Sequence, residues 1–548
     1  MDWIRTTRST LYSTSATTKT PFGDSLETKQ HSRSSSSTTS KSLLIITPSA
    51  SDSTQSPSNS PTLQMPTRDN TSTDIDQVDI IGENMEQTAI NDSSNGSSNG
   101  LSTGKKRAHL ARKQSSPMMP PFMVSAPGKV IVFGEHAVVH GKPAIAAAIS
   151  LRSYLLVTAL SKSKRTISLR FPDINLSHTW NIDDLPWSTF SHPSKKKYYY
   201  DQNISPDAPA ASRKIHQSAA SSFLYIFLSL GSQSFPGCLY TLRSTIPIGA
   251  GLGSSASISV CLSSALLLQI RTLSGPHPDQ PSNEASLQLE RINRWAFVGE
   301  MCIHGNPSGV DNTVSTQGKA VIYQRTPNGP TVKPLRNFPE LPLLLVDTQQ
   351  AKSTAHEVAK VGLLKEKHPA IVNSILNAID MVGESAAAMI SDPDYDSENF
   401  ECVESLGKLM TINHGLLVSL GVSHPRLERI RELVDHEGIG WTKLTGAGGG
   451  GCSITLLKPD NTPERMAHLE DTLEKEGYKK FETTLGCDGV GVLWPAVIKN
   501  GEDDDFGGDE IDQEKFLNAD GIEGVEELVG VHGQSGDREA WKFWRVED

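Results

Sequence analysis

Residues 246–260 read IPIGAGLGSSASISV. Gly249, Gly251 and Gly253 alternate with Ala250 and Leu252, and Ser254 and Ser255 follow at once. Glycine is costly to order, so a cluster of it belongs where backbone must come close to something. That something is a phosphate, another backbone or a sharp turn. From Ser254 onward the residues suit a helix, with Ile258, Cys261, Ala265 and Leu268 roughly on one stripe. The glycines therefore lie at a helix start, where backbone N–H groups are unsatisfied and carry partial positive charge. Glycine lets those groups reach an anion closely, which makes phosphate the natural guest. The stretch is not a Walker A loop, because no Gly-Lys-Ser/Thr follows, and it misses the GxGxxG spacing of dinucleotide folds. Taken alone it is equally compatible with a plain structural turn.

The chain has 548 residues, room for two or three domains. Residues 1–120 are rich in Ser, Thr, Asn and Gln and have no sustained apolar period. Such a segment cannot bury enough surface to offset chain entropy, and a disordered extension is expected there. The far end differs in kind. Residues 501–548 hold 16 Asp or Glu against 4 Lys or Arg, while the whole chain carries a net charge of −11. The acidity is thus a property of the tail, and the remainder is near neutral. Nothing in that balance favours nucleic acid as a partner. No apolar run approaches the ~18 residues needed to span a bilayer, so no membrane partner is expected. Arg5, Arg8 and Lys19 among Ser and Thr weakly resemble an organelle transit peptide, but a Ser-rich extension has the same composition. The six cysteines are scattered without a CxxC, which suits a reduced, cytoplasmic protein.

The organised body begins near Phe122 and closes near Lys499. It opens with two β-like runs broken by Pro127-Gly128, then a loop from Gly134 to Gly141 and an Ala-rich segment. Near 186–215 the pattern breaks into Pro, Lys and Tyr clusters without period, read as a surface insertion; basic residues beside tyrosines can bind RNA, but a solvated loop is the simpler account. A helical pattern runs from Leu287 to Met301, and a last glycine-rich turn spans 446–451. Helices and strands together make an α+β protein. Little of 188–213 or 500–548 is expected in the core, although Trp541, Phe543 and Trp544 could dock on the body.

Four segments change the weight given to the glycine turn. APGKVIVFGEHAVVHG (126–141), IPIGAGLGSSAS (246–257), GEMCIHGNPSGVDNTVST (299–316) and KLTGAGGGGCSITLLKP (443–459) occur in this order. Together they resemble the GHMP small-molecule kinases, over residues ~122–498. The resemblance implies two α/β halves, a ribosomal-S5-like N-terminal domain over 121–332 and a ferredoxin-like C-terminal domain over 333–499, with the active site between them. It implies transfer of the γ-phosphate of ATP to the 5-hydroxyl of mevalonate, a step in isoprenoid and sterol precursor synthesis. It also implies Mg²⁺ as cofactor, a homodimer, and feedback inhibition by prenyl diphosphates.

The residue roles follow from the same resemblance. Phosphoryl transfer needs positioning and charge neutralisation more than covalent chemistry. Gly249, Ala250, Gly251, Leu252, Gly253, Ser254 and Ser255 would surround the nucleotide phosphates, with Gly446, Gly448 and Gly449 closing from the other half. Ser244 matches a further nucleotide contact. Ser255 and Glu300 match the two Mg²⁺ ligands, enough for a cation that keeps water and phosphate around it. Asp311 matches the catalytic aspartate that accepts or orients the hydroxyl proton. Lys129 matches its partner, whose charge would favour the alkoxide as it develops. Glu135, His136 and Thr354 would contact the acceptor. His136 and His140 have a zinc-like spacing, but Ala137 stands where a zincin needs Glu.

Two positions depart from the family pattern. Phe171-Pro172-Asp173 stands where relatives place an asparagine on the nucleotide, and Val298 precedes Gly299-Glu300 where another Glu is common. Other acceptors (phosphomevalonate, homoserine, a sugar) and a catalytically silent ligand binder are the competing readings. Retention of Lys129, Ser255, Glu300 and Asp311 speaks against the silent binder.

Overall fold

The computed structural model describes residues 119–190, 201, 203–498, 509–532, 537–538 and 540–547. All of them belong to one compact unit, Ile90–Asp548. The disordered extension expected over 1–118 and the Lys/Tyr cluster at 191–200 lie outside the described residues.

Two long antiparallel strands form the spine, β1 (Phe122–Phe133) and β2 (Ala144–Ala159). β1 is one strand rather than two runs. Its pairing with β2 shifts register between Pro127 and Gly128, where the N–H that proline lacks falls on an irregularity. β3 (Thr166–Phe171), β4 (Leu176–Asn181) and β5 (Cys238–Ser244) extend the sheet from one part of β2. β6 (Ala320–Thr326) and β7 (Gly329–Leu335) extend it from another. The later half adds β8 (Leu341–Asp347), β9 (Gly440–Leu444), β10 (Cys452–Leu457), β11 (Lys479–Leu485) and β12 (Gly491–Leu493). β11 joins β8 to β2, and β12 pairs with β1. The alanine run in β2 is what lets helices lie close: Ala146 and Ala148 pack on Val310 and Val314, and Ala147 belongs to a core on the other face.

The helix expected after the glycine cluster spans Ser254–Gln269 and is apolar or small on every side. A helix of that kind is buried all round. It packs with helices Ala210–Leu230 and Ser282–His304 against β1, β2 and β5 in the largest core cluster. Helices Pro369–Ile390 and Phe400–Ser419 cover a second core under β8, β10 and β11.

Two expectations about the periphery need correction. Phe190 and Ile204, inside the 188–213 insertion, are buried with the main core, and Trp180 Nε1 donates to Asp201 at 2.9 Å. The acidic tail is also part of the fold. It forms β14 (Asp509–Glu510), which pairs with β13 (Val497–Ile498) at the end of the body, helices Gln513–Leu517 and Gly521–Leu528, β15 (Val531–His532) with β16 (Asp537–Arg538), and β17 (Lys542–Phe543). β17 pairs with β12, completing a 13-stranded sheet. Phe516, Val525, Val529 and Trp541 pack on Met123, Tyr154 and Leu493. Trp544 is 2% exposed, and its Nε1 donates to Gln288 at 3.1 Å. These apolar residues are spread thinly through the tail without a helical or strand period, yet each packs on the sheet or its helices.

Candidate active site

The bulge in β1 brings the first motif to the glycine turn. A Cβ at Gly128 would lie 2.9 Å from the Leu252 carbonyl, so only glycine lets the two backbones meet. The Lys129 N–H donates to that same carbonyl at 2.8 Å. Gly253 has φ 77° and caps the helix, and a side chain there would press on Lys129 Cγ at 3.0 Å. The Lys129 ammonium is therefore fixed over the turn: Nζ donates to the Gly251 carbonyl at 3.3 Å and lies 3.4 Å from Asp311 Oδ1.

Asp311 stands in the first turn of the helix Val310–Gln317. Negative charge is favoured at that end of a helix. Ser315 Oγ donates to the Pro127 carbonyl at 2.7 Å, which ties this helix to the bulge and holds Asp311 opposite Lys129. The lysine side chain is 9% exposed and the aspartate 36%, so the carboxylate reaches solvent while its partner stays in the wall.

Ser255 and Glu300 also meet, as the resemblance implies. Ser255 Oγ donates to Glu300 Oε2 at 3.3 Å and lies 3.1 Å from His304 Nε2. Glu300 is buried late in the helix Ser282–His304, and among the described residues its Oε1 makes no hydrogen bond. Burial is the main reason its carboxyl is pushed up to about 7; Asp311 adds to the effect, while Ser255, Lys129 and the nearby Ser259 hydroxyl oppose it. An orphaned buried carboxylate oxygen beside a hydroxyl is a hard-oxygen pair that fits a magnesium ion.

The second glycine turn, 446–451, faces the first across a lysine that the sequence reading missed. A Cβ on Gly251 would lie 3.7 Å from Lys352 Nζ, one on Gly446 would lie 3.6 Å away, and one on Gly451 would overlap it. Burial, with Lys129 acting in the same direction, pulls the Lys352 ammonium below its usual range, against the pull of Cys452 and Asp347. Its only sequence signal is its place two residues before Thr354. Thr354 itself is exposed at the start of the helix Thr354–Lys367.

Glu135 and His136 sit behind the second turn. Glu135 is fully buried: Oε1 pairs with Lys443, and Oε2 accepts from Asn413 at 3.0 Å. Burial raises its pKa, against the pull of Lys443. Both of its oxygens are engaged by protein, so it supports the loop from within. His136 adopts φ 61°, and its Nε2 donates to the Ala447 carbonyl at 2.9 Å, joining the first motif to the last. Burial lowers its pKa, which favours the neutral ring. His140 is turned instead toward Lys365, 3.4 Å away, so the two histidines do not share a ligand position. Ser244 ends β5, and its N–H donates to Asp173 at 2.8 Å.

Comparison with known proteins gives the family. The GHMP kinases N terminal domain matches residues 217–319, and the GHMP kinases C terminal domain matches 397–469. Mevalonate kinase ERG12 of Gibberella zeae is 70% identical over 465 residues, covering 81% of this chain and 92% of that protein. The mevalonate kinase erg12 of Aspergillus fumigatus is 65% identical, covering 81% and 86%. That of Candida albicans is 44% identical, covering 77% and 99%. With a chain-long match of this kind, and with Lys129, Asp311, Ser255 and Glu300 gathered around a glycine turn, the chain belongs to the mevalonate kinase family of GHMP kinases.

Proposed function

We propose that the chain phosphorylates mevalonate with ATP, giving 5-phosphomevalonate and ADP for isoprenoid and sterol precursor synthesis. The observation that carries this reading is the pairing of Lys129 with a solvent-reaching Asp311 over a glycine turn at a helix start. The turn Gly249–Ser255 offers its N–H groups to the nucleotide phosphates. Lys129 and Lys352 supply positive charge where charge spreads during transfer. Asp311 accepts or orients the proton of the attacking hydroxyl. Ser255 and Glu300 would hold Mg²⁺, which when bound would supply positive charge against the phosphate oxygens. Glu135 and His136 shape the acceptor side through the second glycine turn, and Thr354 stands at its rim. The N- and C-terminal kinase domains meet near residue 332. The family resemblance further supports a cytoplasmic homodimer inhibited by prenyl diphosphates; sedimentation and inhibition kinetics test those two points.

The test is steady-state kinetics of the full chain against mevalonate, phosphomevalonate, homoserine and a sugar. Mevalonate is expected to be the preferred acceptor by kcat/KM. Asp311→Asn nearly preserves volume and is expected to lower kcat by roughly 10²–10⁴-fold, the scale of a positioned general base. A near-normal kcat in that variant would remove the aspartate from the mechanism. A better rate with another acceptor would replace the substrate while leaving the kinase.

A further inference from the structure

Asp173, one of the two departures from the family pattern, joins the tail to the nucleotide side of the site. It lies in the 3₁₀ turn Pro172–Ile174 after β3. Its Oδ1 accepts from Arg243 Nε at 2.9 Å, and its Oδ2 accepts the Ser244 N–H at 2.8 Å. Arg243 is 7% exposed, and its Nη1 reaches the other way. It donates to the carbonyls of Phe516 and Leu517 at 3.0 and 3.2 Å, at the C-terminal end of the tail helix Gln513–Leu517. Those carbonyls have no partner within their helix and carry partial negative charge, so a guanidinium suits them. Gln513 fixes the same helix to the sheet, through Thr158 on β2 at 2.9 Å and through Thr241 on β5.

The other end of this chain of bonds is the turn into the glycine cluster. Ser244 Oγ accepts the Ile246 N–H at 3.3 Å and lies 3.2 Å from Ser153 Oγ. Ser244 thus closes the bend from which Gly249 follows.

We propose that Arg243 and Asp173 are positioning residues of the nucleotide site, through which the C-terminal segment sets the bend from Ser244 to Gly249. The tail contributes no group to the chemistry. It completes the seat of an arginine whose partner holds the backbone beside the phosphate loop. This rests on the reading of Ser244 and Gly249–Ser255 as the nucleotide site.

The test uses the full chain, with ADP binding by calorimetry beside steady-state kinetics. Arg243→Met should raise the ADP Kd and the ATP KM about ten-fold, the loss expected when a charge-assisted hydrogen bond is removed. The mevalonate KM should stay within about two-fold, because the acceptor lies on the other glycine turn. Asp173→Ala should behave likewise, and Asp173→Asn should not restore affinity, since a carboxamide has one acceptor oxygen where Arg243 and the Ser244 N–H need two. From the tail side, the exposed Asp512 caps the helix by accepting the Lys515 N–H at 2.7 Å. Asp512→Ala should weaken ADP binding about three-fold, the effect of a lost cap. In the Arg243→Met background it should do nothing further, because both act along one path. Unchanged ADP affinity in Arg243→Met with a lowered melting temperature would leave Arg243 a purely structural role and overturn the proposal. Full additivity of Asp512→Ala and Arg243→Met would do the same. If Ser255→Ala also leaves ADP binding untouched, the underlying nucleotide assignment fails with it.

Discussion

Replacing Lys443 by Met tests how the second glycine turn is held. Lys443 and Glu135 are both fully buried at the side chain. The carboxylate has two protein partners, Lys443 on Oε1 and Asn413 on Oε2, and Lys443 Nζ also donates to the Leu444 carbonyl at 2.8 Å. Taking away the ammonium leaves a buried carboxylate with one amide donor and no counter-charge. Breaking a buried pair from one side costs about 3–5 kcal/mol. Equilibrium urea unfolding of the full chain should show that loss at pH 8. The double variant Glu135→Gln/Lys443→Met removes both charges and should recover most of it, since a buried pair contributes little net stability over neutral residues of similar volume. The pH dependence gives an independent check. Burial already raises the Glu135 pKa, and losing the lysine raises it further. Between the unfolded value of about 4.3 and the raised folded value, the native state of the variant binds more protons than the unfolded state. Its stability therefore falls as pH rises through that window, and the penalty should be smaller at pH 5 than at pH 8. A loss under about 1 kcal/mol at both pH values would refute the reasoning, because a pair at the surface behaves that way.

Two further outcomes are expected. Without metal, Glu300 has a carboxyl pKa of about 7, raised above its unfolded value, so its contribution to stability is full below pH ~4.5 and is lost as pH rises through 7. Glu300→Gln should remove that slope and make the metal-free protein more stable than wild type at pH 8, by up to about 3 kcal/mol, while weakening Mg·ATP binding; thermal melts with and without Mg²⁺ check both signs. Trp544→Ala empties a core position filled from the tail and should cost about 3–5 kcal/mol by urea unfolding; a loss near zero would mean the tail is only laid on the surface.

The glycine turns were legible in the sequence because clustered glycine before a helical stripe has few uses, and the helices Ser254–Gln269 and Ser282–His304 followed from periodicity. The pairing of Lys129 with Asp311 joins residues far apart in the chain, and only the family resemblance brought them together. Lys352, Lys443 and Arg243 stayed hidden for a physical reason. A lone cation in a sequence looks like a solvated surface charge, and only folding shows that one lies between two glycine turns, another in a fully buried pair, and the third under a tail helix. The tail was read only in part: its aromatic end was open to docking, as Trp541 and Trp544 do, but net charge describes the solvent face and hid Phe516 and Val525 on the other. Pro127-Gly128 looked like a strand break, and its strand continues because the irregularity lets β1 touch the glycine turn.

The pairing of β12 with β1, and of β17 with β12, sets the order in which the molecule can be completed. A ribosome delivers Met123 long before Leu493, and Phe543 emerges later still. At ordinary synthesis speeds the wait is on the order of tens of seconds. Throughout that time Met123, Tyr154 and Leu156, which are covered in the finished protein by Phe516, Val525 and Trp541, face water or a chaperone instead. A nascent chain of this protein stalled before Gly491 would carry an unpaired β1 edge, a template for a neighbouring chain to pair with.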